Sequence, residues 1–457
     1  MTQNPWWWRF SLIGLIILGL LLRFHHPNHF SFAFDQVQIL NQAQSVTQGD
    51  LTLIGPRTGP VAMFTGPLIY YQTAVIYRFL PSVYALHLTA AITALLTSLG
   101  LIWLGRNYLP YRLSTLVILW LWATSPFLVT LDRFIWNPNW LLLAAVLSFF
   151  PLLKSPRLPS RLPDYLSLCL GGFLGYQAHF SGLLLPFLVS LIWLLSIRRH
   201  WLLPLVSWAG AVVSLLPTLI FDLRHQWFNL AGWLSLIENQ DRLSRFLWWE
   251  RFGHDLYITL ENQLKLISLN LTPSLTLIGG ALVCLIFLSL SRLKQTAKFR
   301  FNPLLPLIWL LVIILVYAFY RLPTPEYYYL IQLPALMTIV AVIFTKLHQL
   351  KLTIILVLLI TIISLMALRQ NYQRATHLGH LTLGEQLTLS RYLQREVQIR
   401  PLKAPRFQVP SADRPSLEYL VKDIPWQTNG ARLVIVVPAS DKINYQARFG
   451  LIGVQVD

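Results

Sequence analysis

Eleven apolar stretches recur along this chain, over residues 10–23, 80–104, 113–131, 137–153, 164–178, 180–197, 202–221, 266–291, 303–320, 327–345 and 352–368. A helix needs about 20 apolar residues to cross roughly 30 Å of hydrocarbon, and most of these stretches approach that length. In lipid the backbone must satisfy its own polar groups, so the stretches are expected as helices. Composition agrees: 55% of the 457 residues are hydrophobic and 12% charged, against about 25% charged in a soluble domain. Disordered, collagen-like and nucleic-acid-binding architectures are excluded as the main plan. The first stretch does not read as a cleaved signal peptide, because Arg23, His25 and His26 follow Leu22 with no small-residue cleavage pattern. Cys169 and Cys284 sit in apolar runs without metal-type spacing and read as buried hydrophobes.

Orientation follows from Lys and Arg, which cytoplasmic loops retain. With the N-terminus inside, the inner loops hold Arg9, Arg106, Arg112, Lys154, Arg157, Arg161, Arg198, Arg199, Arg292, Lys294, Lys298, Arg300, Lys346 and Lys351, with Asp164 as the nearby acid. The outer segment 222–265 instead balances Arg224, Arg242, Arg245, Arg251 and Lys265 against Asp222, Glu238, Asp241, Glu250, Asp255 and Glu261. Most of the net charge of +18 is therefore a topology signal, and no nucleic-acid partner is expected. The tail, residues 369–457, falls outside. Helical periodicity around Leu381 to Val397 and a buried-strand pattern over Arg432 to Pro438 give it an α/β character. The expected fold is an all-α polytopic membrane protein of about eleven transmembrane helices. Interfacial helices are expected in the first and fourth outer loops, with a small C-terminal extracytoplasmic α/β appendage. No internal repeat is visible, which disfavours a transporter built on inverted repeats.

In so apolar a chain each carboxylate must be hydrated, paired or used. There are 18 acids, and Asp35 stands out in Phe32-Ala33-Phe34-Asp35-Gln36-Val37, just after the first span. Partial desolvation between Phe32 and Phe34 would raise its basicity, which suits a general base. An N-cap for a helix over residues 36–47 is the alternative, and the residues alone leave both open.

Further along come Gly49-Asp50-Leu51-Thr52-Leu53-Ile54-Gly55-Pro56-Arg57-Thr58-Gly59 and Phe64-Thr65-Gly66-Pro67-Leu68-Ile69-Tyr70-Tyr71. This succession resembles the first outer loop of the GT-C superfamily of polyprenyl-phosphate-sugar glycosyltransferases, in particular the bacterial branch related to protein mannosyltransferases and the lipid A aminoarabinose transferase. The stretches 132–139, 175–181 and 326–329 are similar to its recurrent outer-face elements, and all fall on the outer side of the topology derived from charge. The resemblance spans residues 1 to about 345. It implies a GT-C-like transmembrane catalytic domain over 1–368 and a small extracytoplasmic domain over 369–457 in the plasma (inner) membrane. Its partners would be a polyprenyl-phosphate-linked sugar donor, such as an undecaprenyl phosphate sugar, the bilayer and an acceptor that the residues do not identify. The family often pairs two acids at the motif, whereas Asp35 is followed by Gln36. One acid beside an amide makes a poor divalent-cation site, so no metal or other cofactor is indicated.

The reaction so implied is glycosyl transfer with inversion to an acceptor hydroxyl or amine, with Asp35 as general base. Arg57, Arg133, His179, Arg224 and Arg321 are candidates for holding the donor phosphate, against the plainer reading of interfacial cations. Asp132 is either a second acid or the salt-bridge partner of Arg133. Glu326 is a candidate for sugar hydroxyls, with Tyr328 among the aromatic-belt residues beside it. A transporter or flippase for a lipid-linked sugar is the competing function; it would call for ionisable residues within the spans or on both faces, whereas the middle of the spans is nearly free of charge.

Overall fold

The structure, a computed structural model, describes residues 6–58, 63–109, 111–153, 161–196, 200–238, 247–291, 304–320, 324–348, 353–373, 381–399 and, in the tail, 402–409, 413–427, 432, 434–438, 445–449 and 452–456. A helix occupies each of the eleven apolar stretches. In chain order the helices are α1 (Trp6–Phe24), α2 (Phe34–Thr47), α3 (Leu68–Phe79), α4 (Ala85–Tyr108), α5 (Arg112–Thr124), α6 (Pro126–Arg133), α7 (Asn139–Phe149), α8 (Leu162–Ala178), α9 (Leu184–Ser196) and α10 (Leu202–Arg224). They continue with α11 (Phe228–Glu238), α12 (Trp248–Leu266), α13 (Pro273–Ser291), α14 (Leu304–Phe319), α15 (Leu333–His348), α16 (Thr353–Gln373), α17 (Leu383–Ile399) and α18 (Arg414–Val421).

Among the described residues six helical segments are long and apolar enough to cross a membrane unaided, and α5 and α6, bent by 54° at their junction, meet the same test as a pair. Among the shorter apolar helices, α7 is buried within the protein from Trp140 through Phe149. The stretch from Tyr328 through Lys346 is likewise buried throughout. The protein is thus a polytopic helical membrane protein with its own packed centre. Small residues let backbones meet there. A Cβ on Gly172 of α8 would stand 2.1 Å from Ser207 O, and one on Gly210 of α10 would stand 1.9 Å from Cys169 O.

The break between α5 and α6 has a local cause. Pro126 lacks the N–H that would bond Trp122 O four residues earlier. The buried Arg23 of α1 takes over: its Nη2 donates to Trp122 O (2.6 Å) and its Nη1 to Ala123 O (3.5 Å) and Gly19 O (3.1 Å). Its guanidinium lies 4.3 Å over the Trp122 ring, which in turn lies flat against Gly19, where a Cβ would meet it at 2.4 Å. Nε donates to Asp132 Oδ2 at 2.6 Å, with Arg23 fully buried and Asp132 18% exposed. The partner of Asp132 is therefore Arg23, not the neighbouring Arg133 that sequence adjacency suggested. Arg133 donates instead to Arg23 O (2.7 Å) and His25 O (3.2 Å) and lies over the Phe30 ring.

The tail is the expected α/β unit. Its sheet runs β3-β4-β6-β5, built from β3 (Arg406–Phe407), β4 (Val434–Pro438), β5 (Ala447–Phe449) and β6 (Ile452–Val456). In it β3 pairs parallel with β4, while β4/β6 and β5/β6 are antiparallel. Leu389, Leu393, Leu417 and Val421 from α17 and α18 pack on Val434, Val436 and Val454. A further short hairpin, β1 (Arg57–Thr58) with β2 (Met63–Phe64), lies in the first loop.

Replacing Arg23 with methionine would strand the half-buried Asp132 carboxylate and the Trp122 and Ala123 carbonyls. Breaking one half of such a pair costs about 3–5 kcal/mol. Arg23→Met should lower the unfolding midpoint of the solubilised protein sharply, Arg23→Lys less, and adding Asp132→Leu to Arg23→Met should restore part of the loss.

Candidate functional site

Asp35 is not the N-cap of its helix. The helix starts one residue earlier, at Phe34, with Ala33 in the cap position. Gln36 closes the first turn: Ala33 N donates to Gln36 Oε1 (3.0 Å), and Gln36 Nε2 donates to Ile135 O (2.8 Å). The capping role that short-range logic allotted to Asp35 belongs to Gln36, whose amide, unlike an ionised carboxylate, can accept from one backbone group and donate to another. Asp35 lies half-buried in the first turn, where the helix dipole favours a negative charge. It is within electrostatic reach of the phenols of Tyr70 and Tyr327. Burial, with Asp35's charge added, holds the Tyr70 hydroxyl well above its ordinary value, so it is a donor.

The four stretches singled out in the sequence meet here. Gly55 N donates to Thr65 O (2.7 Å) and Thr65 N to Pro56 O (3.1 Å), closing the loop that carries the β1/β2 hairpin. Gly55 is required by contact: a Cβ would lie 2.0 Å from Gly66 O. Gln177 accepts from Leu68 N (3.0 Å) and donates to Ser214 O (3.2 Å). Asn137 donates to Ala178 O (2.5 Å), and Trp136 stacks edge-on with Tyr327 at 4.6 Å.

His179 links the hairpin to the aromatic cluster. Ser181 N donates to its Nδ1 (3.1 Å), which leaves the ring proton on Nε2 to donate to Thr58 Oγ1 (2.7 Å). Tyr327 and Tyr328 flank the ring at 5.1 and 4.8 Å. Complete burial pushes its pKa down to about 3, so the imidazole is neutral and its hydrogen bonds are spent within the protein.

The remaining candidates spread over the same end of the helices. Arg57 is exposed on β1, and Arg224 is exposed at the last turn of α10. Beside Arg224, buried Asp222 accepts from Asn229 N (2.9 Å) and Leu230 N (3.1 Å), holding the turn at Gln226 and Trp227, both at positive φ. Asn229 in turn accepts from Phe64 N (2.8 Å), tying this turn to β2. Tyr328 is buried, and its carbonyl accepts from Tyr317 OH (2.7 Å). Glu326 is exposed and lines a cavity of about 350 Å³ together with Thr130, Lys265, Ser268, Asn270 and Gln370. Arg321 lies outside the described residues.

The fold is shared, end to end, with a solved membrane protein. ArnT from Cupriavidus metallidurans bound to undecaprenyl phosphate superposes with a TM-score of 0.60 at 13% identity, covering 99% of this chain and 98% of that one. Its apo form gives 0.59 at 15% identity, covering 98% and 97%. The chain has the ArnT fold. No family profile matches the sequence, and no curated protein matches it. The fold that the first-loop resemblance implied is the one found, and the ArnT-like architecture takes in the tail as well as the helices.

Sequence reasoning missed Arg23, Gln36 and Asp255. Asp255 sits on the buried side of α12 and accepts from Tyr329 OH at 2.5 Å. Burial raises its pKa despite that bond and the nearby His254 and Arg251. The available signal was spacing: Asp255, Thr259, Asn262 and Gln263 recur at helical intervals and form a buried polar stripe.

Because unfolded imidazole titrates near 6.5 and folded His179 near 3, the unfolded chain takes up a proton that the folded chain refuses between those values. The stability linked to this group is complete above 6.5 and is lost as pH falls toward 3. His179→Gln should flatten that acid limb of a melting-temperature profile; an unchanged limb would assign it to other groups.

Proposed function

We propose that this chain is an integral-membrane inverting glycosyltransferase that moves a sugar from a polyprenyl-phosphate donor to an acceptor hydroxyl or amine, with Asp35 as general base. One observation carries the reading. In a fold shared over its whole length with a protein seen holding undecaprenyl phosphate, four separate stretches of chain bond to one another beside the half-buried Asp35.

The chemistry asks little more of the protein. As the acceptor oxygen attacks the anomeric carbon, Asp35 takes its proton. The bond from that carbon to the phosphate oxygen breaks, and polyprenyl phosphate leaves as an anion that needs no proton. A single in-line displacement inverts the anomeric configuration, in contrast to glycosidases, whose poorer leaving group calls for a second carboxyl as acid. Arg57 and Arg224, both exposed on this face, would offset the phosphate charge. Tyr70, a donor near Asp35, would orient it. His179, neutral and internally bonded, acts by positioning the hairpin and Tyr327. The cavity lined by Glu326, Lys265 and Asn270 would receive the sugar or acceptor head group. Residues 1–368 form the catalytic unit in this reading and 369–457 the extracytoplasmic one, with the N-terminus in the cytoplasm, as loop charge indicates.

Purified protein given a panel of polyprenyl-phosphate pentoses and hexoses should release polyprenyl phosphate. Asp35→Asn should reduce release at least a thousandfold with an unchanged melting profile. Wild-type turnover by that variant would remove Asp35 as base, and no release from any donor by folded wild type would favour a transporter.

A further inference from the structure

The segment joining α1 to α2 leads directly into Asp35, in the first turn of α2, and it is supported from the far end of the sequence. Phe30 O accepts from Leu383 N (2.9 Å), and Ser31 forms an antiparallel bridge with Thr382. Phe32 O accepts from Gln386 Nε2 at 2.7 Å. The Phe32 ring meets Tyr419 of α18 edge-on at 6.1 Å, and Gly384 lies close enough to Asn28 that a Cβ would stand 3.0 Å from its carbonyl oxygen. One residue after Phe32, Ala33 O accepts from Val37 N (3.1 Å) as the first bond of α2. The tail therefore supplies the donors for the backbone immediately before the turn that holds Asp35.

Gln386 is built for this contact. It is fully buried. Its amide nitrogen faces two acceptors, Phe32 O (2.7 Å) and Leu381 O (3.1 Å), which settles the orientation of the amide. The helix that carries it is held at its start: Thr382 N donates to Glu385 Oε2 (2.8 Å) and Glu385 N to Thr382 Oγ1 (3.2 Å), a capping box. On the opposite side of the Asp35 turn, Gln36 bonds Ile135 O (2.8 Å). The turn is thus clamped between one glutamine that belongs to it and one that belongs to the tail.

We propose that Gln386 is a positioning residue for Asp35, so that the C-terminal unit is a working part of the active site. This rests on the reading of Asp35 as general base. A base misplaced by a fraction of an ångström loses rate without losing substrate affinity, because near-attack geometry, not binding, is what the clamp provides. Methionine matches glutamine in length and apolar bulk but cannot donate. Glutamate matches its shape but turns a carboxylate onto two carbonyl oxygens.

The test uses the full chain in nanodiscs with the polyprenyl-phosphate sugar that wild type turns over. Gln386→Met should lower kcat about tenfold or more and leave KM within about twofold, with Gln386→Glu worse. Arg414→Ala, which breaks the exposed Arg414–Glu418 pair on α18, should leave both unchanged. Hydrogen exchange supplies a readout without turnover: amides of residues 31–37 should exchange faster in Gln386→Met, while those of 39–47 keep wild-type protection. Unchanged exchange in 31–37, or wild-type kcat in Gln386→Met while Asp35→Asn is inactive, overturns the role of Gln386. Wild-type turnover by Asp35→Asn overturns the base reading itself, and the catalytic role of Gln386 with it.

Discussion

Arg23 holds a charge at a depth where a charge is hard to keep, and the geometry of this protein is organised around how it is kept there. Its guanidinium is neutralised by Asp132 and spends its other donors on carbonyls that Pro126 leaves without partners. The two costs cancel each other: a broken helix has carbonyls to satisfy, and a buried cation has protons to place. The junction locks the end of α1 against the α5/α6 bend. Arg133 fastens the chain just beyond it through Arg23 O and His25 O. From this one point the chain leaves in two directions, toward Phe32 to Asp35 and toward Phe134 to Asn137, and these two departures meet again at the bond from Gln36 to Ile135.

Beyond that junction the candidate site is held largely by amides. Gln36, Asn137, Gln177 and Gln386 each bond a backbone group of a distant segment, and each is buried. An amide suits this place. It donates and accepts at once, matches the backbone's own polarity and brings no charge to desolvate at the edge of a membrane. Neutral His179 does the same work between Thr58 and the tyrosine cluster. Carboxylates are left for ion pairing, as at Asp132, for gathering N–H groups, as at Asp222, or for chemistry, as proposed for Asp35.

The helical plan was legible because its cause is local. Each apolar stretch is long, and lipid leaves a backbone in such a stretch no alternative to helix. The tail's helix and strand were readable for the same reason, from periodicity within single segments, and the structure sets the first at Leu383–Ile399 and the second at Val434–Pro438. Around the site the reading was less complete. Asp132 next to Arg133 looks like a pair in sequence, yet the two side chains leave α6 toward different partners, and Asp132 finds Arg23 of α1. Asp35 looks like a cap, yet the amide after it performs that function. Gln386 carries no signal in a tail that looks detached from the site.

What the sequence determined by itself is the membrane-spanning helical architecture, the crowding of its polar motifs into loops and the singular position of Asp35, because hydrophobicity and charge act on a segment whatever surrounds it. What only the tertiary structure decided is who meets whom: Arg23 with Asp132, Gln36 with Ile135, His179 with Thr58, Gln386 with Phe32. Those bonds join residues 99 to 354 positions apart. A single amide or guanidinium bonds equally well to any carbonyl, so its partner is set by where the packed helices bring the chain, and no local pattern can encode that.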